Sequence, residues 1–81
     1  MKTIIIYDQC GEHAIQFFVV DGDYSHLNNV YINNTEDQAK TDELSDLLYG
    51  EDGRIQLKAY KKFPIKAAKE GANVIVAGFA P

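Results

Sequence analysis

Thr3-Ile4-Ile5-Ile6-Tyr7 and Asn73-Val74-Ile75-Val76-Ala77-Gly78-Phe79 decide the fold. The two runs sit near opposite ends of the chain and are almost continuously apolar. Both are rich in β-branched or aromatic side chains, which pack well on a pleated surface. Neither alternates with polar residues. Each therefore reads as a strand covered on both faces, in the interior of a sheet rather than at its edge.

The remaining elements are placed by working inward from these two. Ala14 to Val20 is rich in Phe and Val and reads as a second strand. It forms an antiparallel hairpin with the first across the polar turn at residues 8–13. Asp21-Gly22-Asp23 reads as turn chemistry. Val30-Tyr31-Ile32 is a short third strand, ended by Asn33 and Asn34. The spacing predicts a helix from Thr35 to Tyr49. Thr35 and Gln38 fit a capping box, and Glu36 and Asp37 fall in the first turn. Ala39, Leu44, Leu47 and Leu48 share its apolar face, and Gly50 ends it in a left-handed conformation. Arg54-Ile55-Gln56-Leu57-Lys58-Ala59 alternates strictly, which predicts a strand with one wet face. Pro64 opens a second helix that runs to Glu70 and ends at Gly71. The order is β-β-(β)-α-β-α-β. It predicts a single α+β domain over residues 1–81, a two-layer sandwich. In it, a mostly antiparallel sheet of four to five strands carries both helices on one face.

Composition narrows the function. The chain has 81 residues, 46% of them hydrophobic, and a net charge of −4, which fits one globular domain and argues against disorder. No apolar run approaches the ~20 residues that span a bilayer, so no membrane is expected. The N-terminal isoleucines are too few for a signal-peptide core. A single cysteine allows no internal disulfide, which points to a reducing cytoplasm. A domain this small buries only about 60% of its unfolded surface, leaving little interior for an enclosed active site. The expectation is a non-enzymatic protein that works through its surface, with no cofactor.

Charge is segregated along the chain. Residues 1–53 carry a local net of −9, and residues 54–81 a local net of +5. Glu36, Asp37, Asp42, Glu43 and Asp46 populate the polar side of the first helix and form a candidate surface for a basic protein partner. The plainer reading is a solvated face that keeps the protein soluble. Lys62, Lys66 and Lys69 follow i, i+4, i+7 spacing, and Lys58 extends the stripe. These lysines, interleaved with Tyr60 and Phe63, are the nucleic-acid alternative. Against it stands the acidic balance of the whole chain. Tyr24 and Tyr31 flank an Asn-rich loop, and tyrosine combines contact area with a polar tip, so both join the candidate partner surface. Pairing of copies into a homodimer through an edge strand, with Arg54–Ala59 as the candidate edge, also stays open.

Candidate chemistry is sparse. Cys10 and His13 lie three positions apart, and His26, Asp8, Asp21 and Asp23 add further ligand types. A zinc site normally takes four Cys or His ligands, and this chain has three in total. As a nucleophile and base, the same pair needs an orienting group and an oxyanion site that a short turn rarely supplies. Asp21-Gly22-Asp23 resembles the start of a calcium loop, but the later ligands are missing. The glycines are scattered and form no phosphate-cradling loop.

In length, acidity and its opening Met1-Lys2-Thr3-Ile4-Ile5-Ile6 strand, the chain resembles the small accessory proteins encoded by phages and prophages, including anti-CRISPR inhibitors. The resemblance covers the whole chain and rests on no diagnostic motif. It implies a compact protein without catalysis that occupies a surface of a host protein.

Overall fold

The computed structural model describes residues 1–9, 15–33, 36–50 and 53–79. It is a small α+β fold with a four-stranded mixed sheet and two helices. The strands are β1 (Lys2–Gln9), β2 (Gln16–Asp21), β3 (Val30–Tyr31) and β4 (Asn73–Phe79). A 3-10 turn spans Ser25–Leu27, and the helices are α1 (Gln38–Leu48) and α2 (Ile65–Lys69). The sheet order is β2-β1-β4-β3, so the two apolar strands from the chain ends are central, as their composition predicts.

The expectation of a mostly antiparallel sheet is corrected. β1 pairs antiparallel with β2, but β4 runs parallel to both β1 and β3. Parallel neighbours require a long crossover, and residues 32–72 supply one between β3 and β4. The edge strand β3 is only two residues long. Asn28 extends its ladder with a side chain, because its Oδ1 accepts the Val76 amide at 2.9 Å. The next residue, Asn29, takes the left-handed conformation that asparagine tolerates better than most residues.

The predicted strand Arg54–Ala59 is also corrected. Ile55 makes one isolated bridge, with Tyr49, and Tyr60 makes another, with Phe17. The candidate edge for pairing of copies is therefore not a strand. The alternation reports burial correctly over residues 54–58 but not at Ala59, which is exposed. Ile55 and Leu57 pack against the core, while Arg54, Gln56 and Lys58 are exposed. A period of two fits any extended segment laid along a core, whereas a strand also needs a free edge to pair with. The β2 edge meets this segment only at Phe17, where Phe17 and Tyr60 exchange backbone hydrogen bonds of 3.0 and 2.8 Å.

Side-chain alternation along the strands sorts the two faces of the sheet. Ile5, Tyr7, Phe18, Val20, Val30, Ile75 and Ala77 lie on one face, where they form the core with Leu44 and Leu48 of α1 and Leu27 of the 3-10 turn. Ile4, Ile6, Phe17, Val19, Val74 and Val76 lie on the other. The Phe63 ring meets the Phe17 ring edge-on at 5.8 Å, so the segment leading into α2 crosses this second face. The helices thus flank the sheet from both sides, which corrects the expectation of one helical layer. The chain passes from one face to the other around the β2 edge at Tyr60.

The helix boundaries carry smaller corrections. Asp37 is the N-cap of α1 rather than a first-turn residue, and its carboxylate accepts the Lys40 amide at 3.2 Å. Thr35, the expected partner in a capping box, lies outside the described residues. Thr41 is buried where Ala39 was expected to be, and Ala39 is exposed. The helix closes on an extended Tyr49, and Gly50 does not adopt a positive φ. Gly71 does, at φ 94°, and ends α2 as predicted.

Gly78 has no room for a side chain. A Cβ there would fall on the Asp8 carbonyl of the neighbouring strand. Gly78→Ala should therefore destabilise the fold by about 1–3 kcal/mol. In a domain of this size, each kcal/mol lowers Tm by roughly 4–8 °C. Thermal unfolding followed by circular dichroism measures this, and an unchanged Tm would contradict the close β1–β4 approach.

Candidate functional site

The sheet separates two charged surfaces. On the core-forming side, Asp42, Glu43 and Asp46 project from α1, and all three are exposed. Leu44 and Leu48 bury the opposite side of the helix. Glu36 precedes the helix and is exposed, while Asp37 is committed to its cap. Asp42 accepts a hydrogen bond from the Gln38 side chain one turn earlier, at 2.9 Å. No lysine or arginine pairs with Glu36, Asp42, Glu43 or Asp46 among the described residues.

The 3-10 turn joins this helix to the Tyr24 loop. His26 Nε2 lies 2.9 Å from both carboxylate oxygens of Glu43. The Tyr24 ring stacks at a tilt on His26, with 6.1 Å between ring centres, and also packs against the core. Asp23 fixes the start of this turn. One of its carboxylate oxygens accepts from the Ser25 hydroxyl at 2.7 Å, the Ser25 amide at 3.0 Å and the Asn73 side chain at 3.0 Å. The Ser25 hydroxyl, and then its amide, hold the Asp23 carboxyl below the usual carboxylate range. Gly22 and Asp23 thus begin a turn tied to β4, while Asp21, expected in that turn, is the last residue of β2. Tyr24 and the acidic helix therefore belong to one surface. Tyr31 does not, because it sits opposite Gly78 in the ladder and its side chain alternates to the other face from Val30.

On the second face, α2 and the residues before it wall a cleft of about 480 Å³. Val19, Phe63, Pro64, Ile65 and Ala67 supply its apolar lining. Lys2, Lys62, Lys66 and Glu70 supply its charges, and Tyr60 stands at the side. Two members of the predicted lysine stripe, Lys62 and Lys66, thus meet in the cleft. α2 is only five residues long, so Lys62 precedes the helix rather than continuing its face. Lys58 lies outside the cleft, with its ammonium 5.0 Å from the centre of the Tyr60 ring. Lys69 is exposed in the last turn of α2. Lys2 is the member the sequence reading missed. It alternates with Ile4 onto this face, but only the placement of α2 turns that position into a cleft wall.

Among the described residues, no group of three or more His, Cys, Asp or Glu is placed to hold a metal ion. Cys10 and His13 lie outside the described residues. No helix among the described residues is long and apolar enough to cross a membrane. No family model matches the chain, and neither a curated protein nor a solved structure matches it at a significant level.

Tyr7 is a fully buried ionisable group that belongs to neither surface. Its hydroxyl shares a 3.0 Å hydrogen bond with that of Tyr49, and its ring stands edge-on to Phe18 and Phe79. Burial first, and then the Tyr49 hydroxyl, push its ionisation far above the usual tyrosine range. Below about pH 10 Tyr7 is neutral in both the folded and the unfolded chain. Above it the unfolded chain ionises while the folded one keeps the proton, so stability falls as pH rises. An alkaline absorbance titration should show at least one tyrosine that ionises only with unfolding, and Tyr7→Phe should remove that phase. Smooth titration of every tyrosine in the folded protein would contradict the buried hydroxyl pair.

Proposed function

We propose that this chain is a non-enzymatic binding protein that lays its acidic α1 side on a basic surface of a protein partner and acts by covering that surface. The supporting observation is the His26–Glu43 contact, which joins the acidic helix to the Tyr24 loop. Glu36, Asp42, Glu43 and Asp46 then provide charge, and Tyr24 provides contact area at one end. The Asp37 carboxylate is occupied by its cap, so it holds the helix rather than meeting the partner. Tyr31, on the opposite face of its strand, is left out of this surface.

The carboxylates would steer the approach of a basic partner and fix the orientation in which it docks. Folding need not be spent on maintaining them. They are exposed, and the apolar side of α1 is held separately by Leu44 and Leu48. Inhibition of a host defence protein within the host cytoplasm, the setting that the resemblance to phage accessory proteins implies, forms part of this proposal.

The test begins with a tagged pull-down from nuclease-treated bacterial lysate, followed by titration of the recovered partner. The triple variant Asp42→Lys, Glu43→Lys, Asp46→Lys should bind at least about tenfold more weakly, and its affinity should depend less on salt. Unchanged affinity in the triple variant, with the fold intact by circular dichroism, would overturn this surface.

A further inference from the structure

We propose that the cleft between α2 and the second face of the sheet binds an amphiphilic anion, a molecule with an apolar chain or ring and one carboxylate, phosphate or sulfonate head. This site is independent of the acidic surface and lies on the other side of the sheet.

The first observation is how apolar side chains are exposed. Tyr60, Phe63 and Ile65 are among the exposed large apolar residues of the chain, with Ile65 59% accessible, and all three line this one cleft. A small protein that leaves such side chains together in water usually has something to place on them. The cleft, at about 480 Å³, falls in the range of ordinary small-molecule sites. A second hollow of about 300 Å³ shares Lys2, Ala67 and Glu70 with it and continues past Met1 and Ala72. The two hollows share these three walls, so a ligand with an apolar chain seated in the first can extend toward the second.

Charge is the second observation. Three lysines and one carboxylate line the cleft. Among the described residues, no hydrogen bond or ion pair engages the side chains of Lys2, Lys62 or Lys66. Their ammonium groups are free to meet an anionic head while the ligand body lies on the aliphatic lining. Lysine also buries its own methylene stem along apolar surface and keeps its charge in water, which suits the rim of such a groove.

Single-stranded nucleic acid fits less well. It needs open aromatic faces on which successive bases stack. Here Lys58 already lies over the Tyr60 ring, and Phe63 is engaged edge-on with Phe17. The rest of the apolar lining, Val19, Pro64, Ile65 and Ala67, is aliphatic and offers no face for a base, and Glu70 would repel a polyanion.

The experiment titrates the full chain with dodecanoate below its micelle concentration and follows the backbone amides by NMR. Dodecyltrimethylammonium and a single-stranded oligonucleotide serve as comparisons. Saturable shifts confined to residues lining the cleft are expected with dodecanoate, with weaker or no binding of the cationic amphiphile. The double variant Lys62→Glu, Lys66→Glu should lose at least about tenfold in affinity, because charge-assisted contacts are lost and repulsion is added. Lys40→Glu, a charge reversal on α1 outside the cleft, should leave dodecanoate binding unchanged. Sedimentation with phosphatidylcholine–phosphatidylserine vesicles separates the two sources of such an anion. Lysine-dependent co-sedimentation assigns the site to a membrane lipid, and its absence alongside dodecanoate binding assigns it to a free ligand. The proposal is overturned by equal binding of the cationic amphiphile, by dodecanoate affinity that is unchanged in the double variant, by tighter binding of the oligonucleotide, or by the absence of saturable binding.

Discussion

The parallel ladder between β1 and β4 runs from Thr3 opposite Asn73 to Gln9 opposite Phe79, and the other elements are positioned against it. It joins the two ends of the chain, so it closes almost the whole sequence into one loop. Such closure costs entropy before any contact forms, and burial on the two faces of the ladder must offset that cost. Ile5 and Ile75 are buried under α1 and the 3-10 turn. Ile4, on the opposite face, is equally inaccessible. The close approach at Gly78 belongs to the same constraint, because the backbones of β1 and β4 leave no space for a side chain there.

This central pairing also determines where charge goes. Between β3 and β4 the chain must travel from one edge of the sheet back to its middle, and it does so by way of both faces. α1 packs on the first face, the segment around Tyr60 rounds the β2 edge, and α2 lies over the second face. The acidic stretch of sequence forms α1, and the basic stretch forms α2 and its approach. The crossover therefore puts the carboxylates of α1 and the lysines of α2 on opposite sides of the sheet, while Asp8 and Asp21 alternate with Lys2 onto the second face. Carboxylates and lysines held apart in this way do not neutralise one another.

Much of this was legible in the residues. The continuous apolar runs at 3–7 and 73–79 identified the two central strands, and the alternation at 54–58 identified which side chains turn inward. The apolar spacing led to a helix over 35–49, of which α1 occupies 38–48, and Gly71 marked the end of α2. The strand directions were not legible, because burial on both faces looks the same in a parallel and an antiparallel neighbour. The face taken by each helix was hidden for a related reason. An amphipathic stripe shows that one side is covered but not which side of the sheet covers it. Lys2 illustrates the consequence for the site. As an isolated lysine before a strand it carries no signal, and it becomes a wall of a cleft only once α2 lies beneath it. The His26–Glu43 contact was equally invisible, since it depends on the 3-10 turn lying beside α1.

Placement of the two helices on opposite faces is the claim on which both proposed surfaces rest. A nuclear Overhauser spectrum of the labelled protein tests it most directly. Cross-peaks are expected between the rings of Phe63 and Phe17, and between Leu44 or Leu48 and the core side chains of the first face. None is expected from Phe63 or Ile65 to Leu44 or Leu48. Cross-peaks joining Ile65 to either leucine would put both helices in one layer and contradict the separation of the acidic and basic surfaces.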